Sequence, residues 1–335
     1  MGARLEFGIL GPLEVRLEGT LVRVGGPRQR ALLALLLCHA NTVVSVDQLT
    51  EELLRDQPAE SAERMLRVQI SRLRKVLADG APRVLARPRG YVLRVEPGEL
   101  DLEVFEQRVA VGRDALAQGD PGRAAVLLGE AESLWRGRPL ADLEFEPFAR
   151  FEIQRLESLR LLAVEDRIEA ELAIGQHAGL CPELERLVAE HPLRERLRGQ
   201  LMLALYRSGR QAEALAVFHD TRRILDAELG IEPGPALRQM HERVLAADPV
   251  LDLPAPAAAT ARGAFTAAAR PGSPWASASR PAATRCSNTS KSSSPGSTRN
   301  TYPRGRASTL GAPPARTLRS REICTRSICS ADSAG

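Results

Sequence analysis

Between residues 5 and 24, in LEFGILGPLEVRLEGTLVRV, apolar and polar positions alternate around a Gly-Pro and a Glu-Gly pair. A period of two marks a half-buried strand, so this stretch predicts two or three short antiparallel strands. Gly25-Gly26-Pro27 then interrupts the chain ahead of RQRALLALLLCHA. The apolar spacing there is helical, and Pro27 suits a first helical position, where a missing N–H costs nothing. Asn41 is the stop signal. Ser45 can accept an orphan N–H at the start of VDQLTEELL, and Gln48 three residues on completes a capping box. After Pro58 a third helix is predicted from about Ser61 to Ala78, ending at Asp79-Gly80. RVLARPRGYVLRVEP follows, two strand-like runs around Pro88, Arg89 and Gly90, which reads as a hairpin.

From Leu102 to about Ala247 the spacing is helical almost throughout, broken at 119–122, 137–139, Gly175, His191-Pro192, Gly209 and 231–235. LAIGQHAGLCPELERLVAEHP and LYRSGRQAEALAVFHDTRRIL align with Gly175 and Gly209 in register, 34 residues apart, which is the tetratricopeptide period. LAQGDPGRAAVLLGEAESLW is a third, weaker copy. Such helix pairs cannot bury their apolar faces alone, so they are expected to stack into an array with a continuous apolar interior. At Pro249 the composition breaks: the last 87 residues hold 14 Ser and 10 Pro and almost no apolar periodicity. The expected organisation is a winged helix-turn-helix over 1–100, an all-α repeat domain over 101–248 and a disordered Ser/Pro/Arg-rich tail over 249–335. The tail reads as dispensable from 250 on, and its Arg richness, in a chain with 44 Arg and 2 Lys, suggests GC-rich coding DNA read out of frame. The fold class is therefore mainly α, with a small antiparallel sheet and a hairpin wing in the first domain.

Charge separates these segments. Residues 1–100 carry +3, 101–248 carry −8 and 249–335 carry +9, so the first domain suits a polyanion and the second does not. The third helix concentrates that charge. Leu66, Ile70, Leu73 and Leu77 share one face at 100° per residue. Opposite lie Arg64, Val68, Ser71, Arg72 and Lys75, flanked by Arg67 and Arg74, giving five cations between residues 64 and 75 and no acid. A helix fits the major groove of double-stranded DNA, where Arg pairs bidentately with guanine and an aliphatic methyl meets thymine. In isolation a basic helix is a solvated face. The short capped helix before it and a hairpin bearing Arg83, Arg87, Arg89 and Arg94 behind it change that reading to a winged-helix footprint.

Other chemistry is not indicated. Neither lysine, Lys75 nor Lys291, follows a glycine as a phosphate loop requires, and the five histidines form no H-E-x-x-H. Cys38 and Cys181 stand alone, and Cys286, Cys324 and Cys329 fall in the tail without a second metal-spaced pair. No catalytic residue, metal or cofactor is expected, Trp135 and Tyr206 read as core, and the start of the chain lacks an apolar signal, which places the protein in the cytoplasm and off the membrane.

The FGILGPLEV opening, GGPRQRALLALLL, VVSVDQL, LRVQISRLRKVL, the GYVL wing, ESLWRGRPLADL and ELGIEPGPALRQMHERVLAADP resemble, in this order, the Streptomyces antibiotic regulatory proteins. The resemblance spans residues 7 to 249. It implies a response-regulator-type winged helix, a bacterial transcriptional activation domain behind it, and DNA contacts from Arg64, Val68, Gln69, Ser71, Arg72 and Arg74. It further implies activation of a secondary-metabolite cluster through direct repeats near the promoter, contact with RNA polymerase and self-association on DNA. Where related wings read Gly-Tyr-Arg, this chain has Gly90-Tyr91-Val92, leaving Arg89 or Arg94 to reach the minor groove, with Tyr91 an anchor for the wing. A helical-repeat adaptor or ligand-sensing regulator with weak or vestigial DNA binding is the other reading left open.

Overall fold

The computed structural model describes residues 5–77 and 82–253. β1 (Leu5–Gly8), β2 (Glu14–Leu17) and β3 (Thr20–Leu21) form an antiparallel sheet in that order. Its second hairpin turns on Glu18 and Gly19, at φ of 50° and 77°, the paired positive φ whose twist matches the flanking strands. α1 (Pro27–Cys38) starts with Pro27 in its first turn and buries every residue from Ala31 to Leu37. A helix apolar on all sides is a central one, and α1 is met by α2 (Val46–Leu54), α3 (Ala59–Val76) and the hairpin strand over Gly90–Leu93.

The wing is a second antiparallel sheet, ordered β4 (Val44–Ser45), β6 (Gly90–Leu93), β5 (Val84–Arg87). The two-residue β4 is not legible in the sequence, which marks Ser45 only as a cap. Ser45 does cap α2, its Oγ accepting the Gln48 N–H at 3.0 Å. Asn41, at φ 61°, lies beyond the end of α1 and its His39 cap, and exchanges both side-chain hydrogen bonds with the Val95 backbone at 2.9 and 3.0 Å.

Among the described residues seven α-helices follow: α4 (Asp101–Ala117), α5 (Pro121–Glu132), α6 (Pro147–Ala173), α7 (His177–Glu190), α8 (Glu195–Arg207), α9 (Gln211–Leu229) and α10 (Pro235–Leu245). The loops α4–α5, α6–α7 and α8–α9 are copies of one another. Each holds a glycine in the left-handed region, Gly119, Gly175 and Gly209 at φ of 75°, 87° and 75°. In each, the following N–H reaches five residues back: Asp120 to Ala115, Gln176 to Glu171, Arg210 to Leu205. This helix stop satisfies orphan carbonyls, and it supports the weaker third repeat as well as the two clear ones. Among the described residues no helix is long and apolar enough to cross a membrane.

The apolar interior divides where the sequence reading expected continuity. One cluster runs from Leu5 through α1 and α3 to α4, α5 and the first part of α6, ending at Ala163 and Ala170. A second holds Val164, Ile168 and Leu172 of α6 with α7 to α10. The 27-residue α6 belongs to both, so the first repeat shares its core with the winged helix. Trp135 lies in that shared core, edge-on to Phe105 at 5.4 Å with the Arg160 guanidinium 5.1 Å from its ring centroid.

Polar groups seal the same junction. The fully buried Asp101 carboxylate accepts the Ile9 N–H at 2.9 Å, the Leu10 N–H at 3.0 Å and Arg136 Nη2 at 3.1 Å. Asp142 accepts the Leu13 N–H at 2.7 Å and pairs with Arg30 of α1. The segment between α5 and α6, with Leu140 at φ 48°, thus folds back over Ile9 to Leu13.

The tail expected from 249 begins later in structure. Pro249–Leu251 make a 3-10 turn, Leu251 is buried in the second cluster, and its carbonyl accepts Arg207 Nε at 2.7 Å. Within the stretch expected to be dispensable from residue 250, Leu251 thus has both its side chain and its carbonyl engaged. Residues 254–335, on which the rest of the tail expectation and its cysteines fall, lie outside the described residues.

Candidate nucleic-acid interface

α3 turns Ala62, Leu66, Ile70 and Leu73 into the core. Arg64, Arg67, Val68, Ser71, Arg72, Arg74 and Lys75 are exposed, and Gln69 is half-buried at the edge of that face. Val68 stands out, since an aliphatic side chain on this otherwise polar surface is 46% exposed. The helix begins at Ala59, two residues earlier than predicted, because Pro58 supplies the entry.

The exposed cations do not all have the same freedom. Glu63, one residue before the acid-free run, forms an i,i+4 pair with Arg67 at 3.0 Å, both largely exposed. Such a pair contributes a few tenths of a kcal/mol and yields readily to a phosphate. Arg74 donates from Nε to the Val84 carbonyl at 2.8 Å, which ties the C-terminal turn of α3 to β5. Arg64, Ser71, Arg72 and Lys75 carry the remaining polar surface of the helix.

The wing differs more from expectation. Arg83 is buried in a bidentate pair with Glu99, at 2.9 and 2.8 Å, and so does not belong to a cationic surface. The acid that neutralises it lies beyond the hairpin, where a count along the wing does not look. Arg94, at the base of the hairpin, faces Glu96 at 3.4 Å. Arg87 and Arg89 are exposed at the tip. Arg87 pairs in register with Gly90, which leaves Pro88-Arg89 as a two-residue turn with Arg89 at φ 62°. Proline followed by positive φ is the type II pattern, normally closed by glycine. Arg89 in that place keeps a cation at the apex, and its carbonyl accepts the Val46 N–H at 3.0 Å, joining the tip to the start of α2.

Val92, in the position of the expected wing arginine, is buried, and Tyr91 packs against the core. Gly90 is there by necessity. A Cβ at this position would lie 2.4 Å from the Val44 carbonyl oxygen, so only glycine lets β6 approach β4. A cleft of about 140 Å³ between α3 and the wing is lined by Glu63, Arg67, Arg87, Arg89 and Tyr91. α3 and the wing tip thus border one surface.

Two family models match the chain: the C-terminal domain of transcriptional regulatory proteins over residues 23–93 and the bacterial transcriptional activator domain over residues 100–245. The chain is 37% identical over 257 residues to the regulatory protein DnrI of Streptomyces peucetius, covering 74% of this chain and 94% of DnrI. It is 43% identical over 269 residues to the regulatory protein AfsR of Streptomyces coelicolor, covering 80% of this chain and 26% of AfsR, so it spans about a quarter of that relative's length. The solved structure of Mycobacterium tuberculosis EmbR in complex with a low affinity phosphopeptide superposes with a TM-score of 0.70 at 38% identity, covering 73% of this chain and 66% of that one. On these matches and on the two-part architecture that carries them, the chain belongs to the Streptomyces antibiotic regulatory protein family of transcriptional regulators.

Proposed function

We propose that this regulator is a sequence-specific DNA-binding activator of a secondary-metabolite gene cluster, acting in the cytoplasm. In this reading residues 1–100 dock on direct repeats near the promoter, and 101–248 contact RNA polymerase and a second copy on the DNA. One observation carries the DNA-binding part: the face of α3 opposite its buried leucines is exposed and cationic, and the wing tip with Arg87 and Arg89 borders the same cleft. Arg64, Val68, Ser71 and Arg72 are the base readers, with Gln69 at their margin. Arg67, Lys75, Arg87 and Arg89 meet phosphates or the minor groove. Arg74 holds helix and wing together, and Arg94 sits too far down the hairpin to lead.

Fluorescence polarisation with a promoter duplex and a random duplex, at one fixed salt concentration, tests this. Arg72→Ala is expected to cost about 1–3 kcal/mol on the promoter and much less on random DNA. Arg89→Ala is expected to weaken both by similar factors, since phosphate contacts carry little sequence information. If Arg72→Ala weakens both duplexes equally, the helix is oriented differently. If the wild-type chain shows no salt-dependent preference for the promoter, the whole reading fails.

A further inference from the structure

Between α6, α8 and α10 lies a cleft of about 590 Å³ walled by Leu172, Leu203, Leu237 and Met240. Small-molecule sites occupy roughly 300–1,000 Å³ and combine apolar walls with a few converging polar groups. Three features of α8 distinguish this cleft from an ordinary gap between helices.

Gly199 stands in the helix interior on the cleft wall, where only proline is more costly. Packing does not require it, because an added Cβ would rest 3.7 Å from Leu237 Cδ1, an ordinary contact. Its missing side chain keeps the cleft open. Gln200, one residue on, lines the same cleft and is 8% exposed. Its Nε2 donates to the Glu165 carbonyl at 2.7 Å, which fixes this polar side chain against α6, while Oε1 is closed off from the surface.

Arg207 is the third feature. Its guanidinium donates to two backbone carbonyls, Leu251 at 2.7 Å and Leu172 at 2.6 Å, and among the described residues it forms no ion pair. Burial pulls its pKa down, against a smaller upward pull from the neighbouring Asp252 carboxylate. The rim carboxylates are already engaged: Glu169 pairs with Arg196, and Glu195 accepts the Gly234 N–H at 2.7 Å. Arg207 keeps unused N–H groups on a planar fork suited to a carboxylate.

We propose that this cleft binds a small amphipathic organic anion: an apolar body carrying one carboxylate held by Arg207. The ligand would join α6, α8 and α10 and so act as an effector of the second half of the repeats. Binding can be measured without DNA, so the proposal stands or falls separately from the one above.

Calorimetric titration of the full chain with decanoate and hydroxynaphthoate, beside neutral decanol and naphthol, tests it. One site per chain is expected, with at least one carboxylate about tenfold or more tighter than its neutral counterpart. Gly199→Met should fill the cleft and weaken that binding by about tenfold or more, with circular dichroism and Tm showing an intact fold. Equal affinity for the neutral compounds removes the role of Arg207 and overturns the proposal. So does binding that Gly199→Met leaves untouched. Failure of both carboxylates to bind overturns it too.

Discussion

Asp101 holds its carboxylate where no solvent reaches, at 0% exposure. Burial raises its pKa, while the Ile9 and Leu10 N–H groups and then Arg136 oppose the rise. Two backbone N–H groups and the Arg136 guanidinium converge on the carboxylate, the donor set of a buried ion pair. Asp101→Asn keeps the shape but leaves Arg136 without that partner and gives the two N–H groups one good acceptor in place of two. A loss of about 2–4 kcal/mol in urea unfolding is expected; a loss below about 1 kcal/mol would mean that the pair is dispensable. Asp101 and Glu99 read in the sequence as ordinary acids ahead of a helix. Their partners, Ile9 and Arg83, lie 92 and 16 residues away, and no local pattern connects them. The face of α3 was legible because it depends only on the helical period. Which wing arginines are exposed was not, because burial of Arg83 depends on an acid outside the hairpin.

Among the elements, α9 and α10 offer a test by pH. His241 stacks on Phe218 with ring centroids 3.9 Å apart, and His219 lies 5.6 Å from His241. Burial, and then the neighbouring His219, push the His241 pKa down, against a smaller upward pull from Glu242. Unfolding returns this imidazole to about 6.5, so the unfolded chain binds more protons in the window below that value. The stability His241 contributes is therefore present above about pH 6.5 and is lost as pH falls through its lowered folded value. Tm measured from about pH 8 to about pH 5 should drop less in His241→Phe, which retains the stack, than in the wild type. Identical profiles would assign the acid sensitivity elsewhere. The repeat loops were readable at this scale because each depends on one glycine at one spacing. β4 was not, since two residues carry no periodicity, and its evidence is the 2.4 Å that a Gly90 Cβ would leave to Val44. The segment between α5 and α6 was visible only as an interruption, because its ties run to the far end of the sequence.

At the scale of the whole molecule, the shared core makes the junction at residue 100 a poor place to cut. The sequence alone marks residues 1–100 as a separate winged helix-turn-helix domain. That fragment loses the carboxylate on Ile9 and Leu10, the Asp142 partner of Arg30, and the α6 surface against α1. We expect it to show no cooperative thermal transition, as scanning calorimetry would reveal. A sharp transition would mean that the winged helix is stable without its neighbour. If the fragment does fail, the fused core has a consequence for regulation that can be read on DNA alone. A body without a hinge takes its compass bearing around the double helix from the base pair on which α3 rests. B-DNA turns once in about 10–10.5 bp, so sliding the operator about 5 bp from the promoter would swing the acidic repeats to the opposite side of the DNA. Transcription should then rise and fall with the helical turn as the operator is moved, whereas a hinged protein would show only a smooth decline with distance.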